Sequence, residues 1–188
     1  MTNLLPIPSI LLAVDVLVFA VTAGELKVLL VQRKDTTQET RVLPGGFVTT
    51  NETLLQTAKR KLKEETGYAD FTVHNTGIFD AVKRDERARV VSTAFLALTH
   101  QIDFPFQDGE NTKNAQFHSL KKLPFLAFDH KDIITTTLHY LQEKLMYTDI
   151  AKPLFPQQFT LTELQTTYEA ILSKELNVRN FRKRMIDL

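Results

Sequence analysis

The chain contains no cysteine. Disulfides and thiolate zinc centres are therefore excluded, and the composition fits a reducing cytoplasm. Neither sign of charge is in excess: 23 Lys and Arg against 22 Asp and Glu leave a formal net charge of +1. No global field draws the chain to nucleic acid, so any such site has to come from local clustering. The histidines (His74, His100, His118, His130, His139) lack ligand-like spacing and read as structural or surface residues. Internal repeats and low-complexity segments are missing too. The apolar start, MTNLLPIPSILLAVDVLVFAVTAG, has no basic n-region, and Asp15 interrupts it. It is too short and too charged to span a bilayer, so it reads as a buried strand rather than a signal peptide or membrane anchor.

At 188 residues and 43% hydrophobic, the chain can bury one good core and a small second one. Leu11 to Val21 and Leu26 to Gln32 are Val- and Leu-rich and joined through a Gly24 turn, which predicts consecutive strands. Arg33 to Arg41 reads as a polar loop. Phe71 to Ala81 and Val90 to Thr99 predict two more strands, the second dense enough to be buried on both faces. Between them lies a highly charged link, Lys83 to Arg89, whose composition favours a solvated hairpin tip. Gln107 to Asn114 reads as a polar loop, and Phe117 to Leu120 could close the sheet. Ile134, Leu138, Leu141 and Leu145 give a helix over Ile133 to Leu145.

The most informative stretch is GFVTTNETLLQTAKRKLKEETGY, Gly46 to Tyr68. Thr49 and Glu52 have capping-box spacing, and Gly67 stands where a left-handed C-terminal residue belongs. Leu54, Ala58 and Leu62, with Leu55 beside them, form the expected core stripe. Lys61, Glu64 and Glu65 fall at i, i+3 and i+4, which gathers them on one patch. Adjacent carboxylates after a Pro-Gly-Gly turn suit Mg²⁺, which takes oxygen ligands and shares them with phosphates. The full pattern resembles the Nudix box through Gly46, Glu52, Arg60, Leu62, Glu64, Glu65, Gly67 and Tyr68. That resemblance implies an α/β Nudix fold, a mixed sheet sandwiched between helices. It also implies Glu64 and Glu65 as metal ligands, with Glu64, Glu65 and Arg60 as the catalytic set and Glu110 as a weaker candidate base. Lys61 stands where the family has a further Glu. A protonated Lys cannot ligate Mg²⁺ and repels it, so ordinary metal-dependent hydrolysis is expected to be weak or lost.

Near the C-terminus, Pro153 and Pro156 suit a linker across Tyr147 to Phe159. Thr160 and Glu163 repeat the capping-box signal, with Leu161, Leu164, Tyr168 and Ile171 or Leu172 as an apolar face. Asn177 is the expected cap of a last helix, with Val178, Phe181, Met185 and Leu188 turned inward. Arg179, Arg182, Lys183 and Arg184 lie largely outside that stripe, as in a recognition helix.

Box and tail together look like the Nudix-related transcriptional regulators of NAD and sugar metabolism. The likeness includes Pro44 to Val48, the box, Arg84-Asp85 with Arg87 and Arg89, and Phe159 to Gln165 with Arg179-Asn180-Phe181-Arg182. It implies a Nudix domain over 1–150 and a partial winged-helix-like segment over 153–188, since the sequence ends at Leu188 before a wing. The expected effector is ADP-ribose or a related nucleotide or sugar phosphate. Gly45, Gly46, Arg84, Asp85, Arg87 and Arg89 are its expected binding residues, and Arg179, Arg182, Lys183 and Arg184 the expected DNA contacts. A homodimer is implied as well. The alternative is a Mg²⁺-dependent hydrolase of the ADP-ribose pyrophosphatase type.

Overall fold

A computed structural model describes residues 9–35, 40–67 and 71–186. Tyr68 of the box, Leu188 of the tail and part of the 33–41 loop lie outside the described residues. The strands are β1 (Leu11–Thr22), β2 (Glu25–Arg33), β3 (Arg41–Val42), β4 (Gly45–Phe47), β5 (Val73–Phe79), β6 (Val90–Thr99) and β7 (Thr112–Ser119). The helices are α1 (Leu54–Thr66), α2 (His130–Leu145), α3 (Leu161–Leu172) and α4 (Val178–Ile186).

All seven strands form one mixed sheet, in the order β3-β2-β1-β6-β5, with β4 added on β1 and β7 on β2. Among the described strand pairs only β1 and β6 run parallel; they pair from Leu11↔Val90 to Ala20↔Thr99 at the centre of the sheet. Both strands are almost continuously buried and mostly apolar, the apolar run interrupted by Asp15 in β1 and by Ser92 and Thr93 in β6, and helices cover both faces. Val14, Val16 and Val18 pack with Leu29, Phe95 and Ala97 against Ala58 and Leu62 of α1. Leu17 and Phe19 point the other way, into a cluster with Ile133, Ile134, Leu141 and Leu145 of α2. The period-two alternation of a strand thus divides one apolar run between two cores. The hairpin between β1 and β2 turns on Ala23 (φ 50) and Gly24 (φ 72). Positive φ at both central residues matches the right-handed twist of the flanking strands.

The box helix starts later than its sequence suggests. Thr53, not Thr49, is the N-cap, and Thr53 with Gln56 forms the capping box. Thr49 and Glu52 share a hydrogen bond of 3.0 Å in the turn before it. Gly67 does close the helix in the left-handed conformation, at φ 72. Ala58 and Leu62 are buried, but Leu55 is exposed. The link over 83–89 is not a solvated tip either, because Arg84 and Asp85 fold inward and are buried.

The tail packs on the α2 side of the sheet. Ile150, Ala151, Leu154 and Phe155, from the stretch read as a linker, belong to the same buried cluster as Leu17 and Phe19. Tyr168, Ile171 and Phe181 join it. Tyr168 and Phe181 meet edge to face at 5.3 Å, so α4 is held against α3. Thr160 caps α3 as its sequence predicts, whereas Leu161 and Val178 are exposed rather than inward. Among the described residues, no helix is long and apolar enough to cross a membrane.

Candidate functional site

One cavity, about 380 Å³, opens where β1, β4 and α1 meet the 83–89 link and the start of α2. The Pro44-Gly45-Gly46 turn brings these elements close enough to form it. A Cβ on Gly45 would lie 2.2 Å from the Val14 carbonyl, so only glycine lets β4 pair with β1 here. A Cβ on Gly46 would lie 2.5 Å from Cε of Lys61. The lysine stem therefore runs through the space that Gly46 leaves open.

From α1 the cavity receives Lys61, Glu64 and Glu65. Lys61 Nζ donates to Glu64 Oε2 at 2.8 Å, and Arg60 Nη1 donates to Glu64 Oε1 at 3.0 Å. Burial works against the Glu64 carboxylate, but Lys61 and Arg60 outweigh it and hold its pKa below the ordinary range. Glu65 is 5% exposed, and its Oε2 has no hydrogen-bond partner. Burial pushes its pKa up to about 8, against the opposing effects of Lys61 and of hydrogen bonds from Gly45 and Thr112. Arg60 does not line the cavity. Its Nε and Nη2 clamp Glu52 at 2.6 and 2.8 Å, tying the turn before α1 to the helix. That clamp is the main reason the Glu52 carboxyl falls to about 2.

These residues do not fit an ordinary Mg²⁺ centre. The free oxygen of Glu65 is one usable ligand, but Glu64 has both oxygens engaged by cations. The third side chain is an ammonium, and no group of three acidic or histidine ligands occurs among the described residues. A hard divalent cation needs several oxygen ligands and no neighbouring positive charge.

The opposite wall is a buried ion-pair network. Arg84, with 5% of its side chain exposed, grips Asp129 at 2.8 and 2.6 Å and reaches Asp15 at 3.1 Å. Ser92 donates to Asp15 at 2.7 Å. His130 Nδ1 accepts the Leu43 N–H at 3.0 Å, which leaves Nε2 to face Asp15 at 3.3 Å. Burial would raise the Asp15 carboxyl, but His130, Ser92 and Arg84 outweigh it and keep it below its usual value. Arg84 is thus a structural brace, with its hydrogen bonds directed at two carboxylates.

Arg87 is differently placed. It chelates Asp85 through Nε and Nη2 at 2.9 and 2.7 Å, yet its side chain remains half exposed. Its guanidinium lies 5.3 Å from the ring centre of Phe128, and that of Arg33 lies 5.8 Å from the same ring. Phe128 is partly exposed and holds a positive φ of 56, a strained setting for a bulky residue at a cavity wall. Glu110 lines the cavity as an exposed residue. Arg89 does not line it; its Nη1 donates to the Asp80 and Ala81 carbonyls at 2.9 and 3.3 Å.

The structure therefore brings together Gly45, Gly46, Glu64, Glu65, Arg84, Asp85 and Arg87, and leaves Arg60 and Arg89 outside. Sequence reasoning missed Asp15, Arg33, Phe128, Asp129 and His130. The lone carboxylate inside an apolar strand was the one available signal, since buried charge requires a partner. In the tail, Arg179, Arg182 and Lys183 are exposed. Arg184 is exposed too, but its Nη2 donates to the Met146 carbonyl at 3.3 Å and its guanidinium sits 5.7 Å from the Tyr147 ring.

Comparison with known proteins gives two family matches: NUDIX domain over residues 11–137, and NrtR DNA-binding winged helix domain over residues 152–188. The chain is 37% identical over 185 residues to the ADPR responsive transcriptional repressor NtrR of Acinetobacter baylyi, covering 96% of this chain and 74% of that one. A MutT/nudix family protein of Enterococcus faecalis superposes with TM-score 0.87 at 26% identity, over 99% of this chain and 84% of that one. Shewanella oneidensis NrtR superposes with TM-score 0.79 at 30% identity, over 94% of this chain and 85% of that one. The Shewanella protein has also been solved complexed with a 27mer DNA (29% identity, 94% and 82% covered, TM-score 0.77). Its NUDIX domain has been solved with ADP ribose (31% identity, 74% and 94% covered, TM-score 0.65).

Proposed function

This chain belongs to the Nudix family and carries the NrtR type of DNA-binding winged helix segment, and from that premise we propose that it is an ADP-ribose-responsive transcriptional regulator. The Nudix part, taken as 1–150, holds ADP-ribose or a related nucleotide or sugar phosphate in the cavity at Lys61, Arg87 and Gly46. The segment 153–188 contacts operator DNA through Arg179, Arg182, Lys183 and Arg184. Working as a homodimer in the cytoplasm, it would meet two half-sites related by its own two-fold axis.

The observation that carries this reading over hydrolysis is the Lys61–Glu64 ion pair, at 2.8 Å, in the middle of the box. It puts an ammonium, and a carboxylate with both oxygens paired to cations, where metal-assisted cleavage needs free carboxylates to hold a cation and generate the attacking hydroxide.

The test begins by selecting genomic duplexes on the immobilised chain. Fluorescence anisotropy then measures affinity for the enriched duplex as ADP-ribose is titrated, and sedimentation gives the mass. Salt-sensitive binding that ADP-ribose shifts, by a dimer, supports the reading. Brisk Mg²⁺-dependent cleavage of ADP-ribose with no effect on DNA binding overturns it in favour of the hydrolase.

A further inference from the structure

The poor fit to a divalent metal raises the question of what neutralises an anionic ligand in this cavity. Three features converge on one side chain. Lys61 lines the cavity with its side chain 17% exposed, and Glu64 is its sole hydrogen-bond partner among the described residues. An ammonium has three N–H donors, so that pairing leaves donors to offer to a ligand. The stem lies against Gly46, where a Cβ would stand 2.5 Å from Cε, so the lysine uses the space that the glycine leaves and would have to shift if a side chain filled it.

Glu64 does not depend on Lys61 alone. Arg60 holds its other oxygen at 3.0 Å, and Arg60 is itself anchored by Glu52 at 2.6 Å. If the ammonium turns from Glu64 toward a ligand, the carboxylate keeps a cationic partner and is not stranded. The box helix therefore presents a cation that can change partners.

We propose that the Lys61 ammonium serves as the resident cation of this cavity, so that the site binds the diphosphate of its ligand without a divalent metal. The inference rests on the effector reading above and adds how the anion is held. On binding, a phosphate oxygen takes an N–H of Lys61, while Arg60 continues to neutralise Glu64. No bond is made or broken in the ligand.

The experiment is calorimetric titration of the full chain with ADP-ribose, once in EDTA and once in excess Mg²⁺. The wild-type protein is expected to bind equally in both. Lys61→Gln should weaken binding in EDTA by about tenfold or more, the scale of a lost charge-assisted hydrogen bond. Lys61→Glu should bind only when Mg²⁺ or Mn²⁺ is supplied. Wild-type binding that disappears in EDTA overturns the inference and leaves the effector reading standing. So does Lys61→Gln binding in EDTA with wild-type affinity. Absence of ADP-ribose binding under both conditions overturns both. The EDTA comparison needs no mutant, so a variant that folds poorly does not blunt the test.

Discussion

A carboxyl group buried as deeply as Glu65 favours its neutral form, and its pKa of about 8 follows from that burial. The folded value lies above the unfolded one, near 4.5, so the native state holds the extra proton between them. Stability contributed by this residue is complete below the unfolded value and declines as pH rises through about 8. Glu65→Gln should therefore flatten the fall in melting temperature between about pH 4.5 and about 8, and keep its largest advantage above that window, as thermal denaturation across pH would show. A variant that melts lower than wild type at every pH would contradict the burial argument. The two arginines at the cavity separate by the same reasoning. Arg84→Met leaves Asp15 and Asp129 buried without their cation, which costs about 3 kcal/mol or more in denaturant unfolding. Arg87→Ala removes the half-exposed partner of the buried Asp85 but leaves the Arg87 backbone N–H donating to that carboxylate, so it should cost less than Arg84→Met. Calorimetry on Arg87→Ala should still show ADP-ribose bound several-fold more weakly, because that guanidinium faces the cavity. Equal destabilisation by the two substitutions would remove this distinction.

Among the elements, the box helix shows how local signals compete. Both Thr49-x-x-Glu52 and Thr53-x-x-Gln56 satisfy the capping pattern, and a sequence carries no rule that ranks them. In the structure Thr53 is the cap, while the Glu52 carboxylate is held by Arg60 and accepts from the Thr49 hydroxyl in the preceding turn. Thr53→Ala should accordingly cost about 1 kcal/mol in chemical unfolding, and Thr49→Ala distinctly less. The reverse order would restore the earlier start. Elements whose information is local were legible in this way: the Gly24 turn, the Thr160 cap, the Gly67 stop and the buried β6 run all match. What failed depends on contacts between distant residues. Arg84 finds Asp129 and Asp15, 45 and 69 positions away, and no composition rule for the 83–89 link could reveal that. The stretch around Pro153 has the breakers of a linker, yet Leu154 and Phe155 are buried because the sheet offers them an apolar face. In the site, the box residues were legible as a pattern, whereas Phe128 and His130 enter only through the fold.

At the scale of the whole molecule, the tail's role turns on which of its cations are free to meet phosphate. Its apolar residues are committed: Tyr168, Ile171 and Phe181 share one cluster with Leu17 and Phe19 of the central strand. That fixes α4 by its inner face, leaving Arg179, Arg182 and Lys183 exposed on the outside. Arg184 differs, being tied to the Met146 carbonyl and placed over Tyr147 at the end of α2. Each phosphate contact releases condensed counterions and adds to the salt dependence of binding. Replacing Arg182 with Ala should therefore weaken binding to a selected duplex across sequences and lower the slope of log K against log salt by about one. Arg184→Ala should lower it less, since the wild-type side chain already spends a donor on the protein. Its main effect should be on the α4–α2 junction, as a small drop in melting temperature. Anisotropy titrations over a range of salt concentrations, run on both variants with the same duplex, decide between the roles. If Arg184 changes the slope as much as Arg182, its hold on Met146 is given up on DNA, and the two residues act alike. If neither changes it, α4 serves to pack the tail and the DNA contacts lie elsewhere.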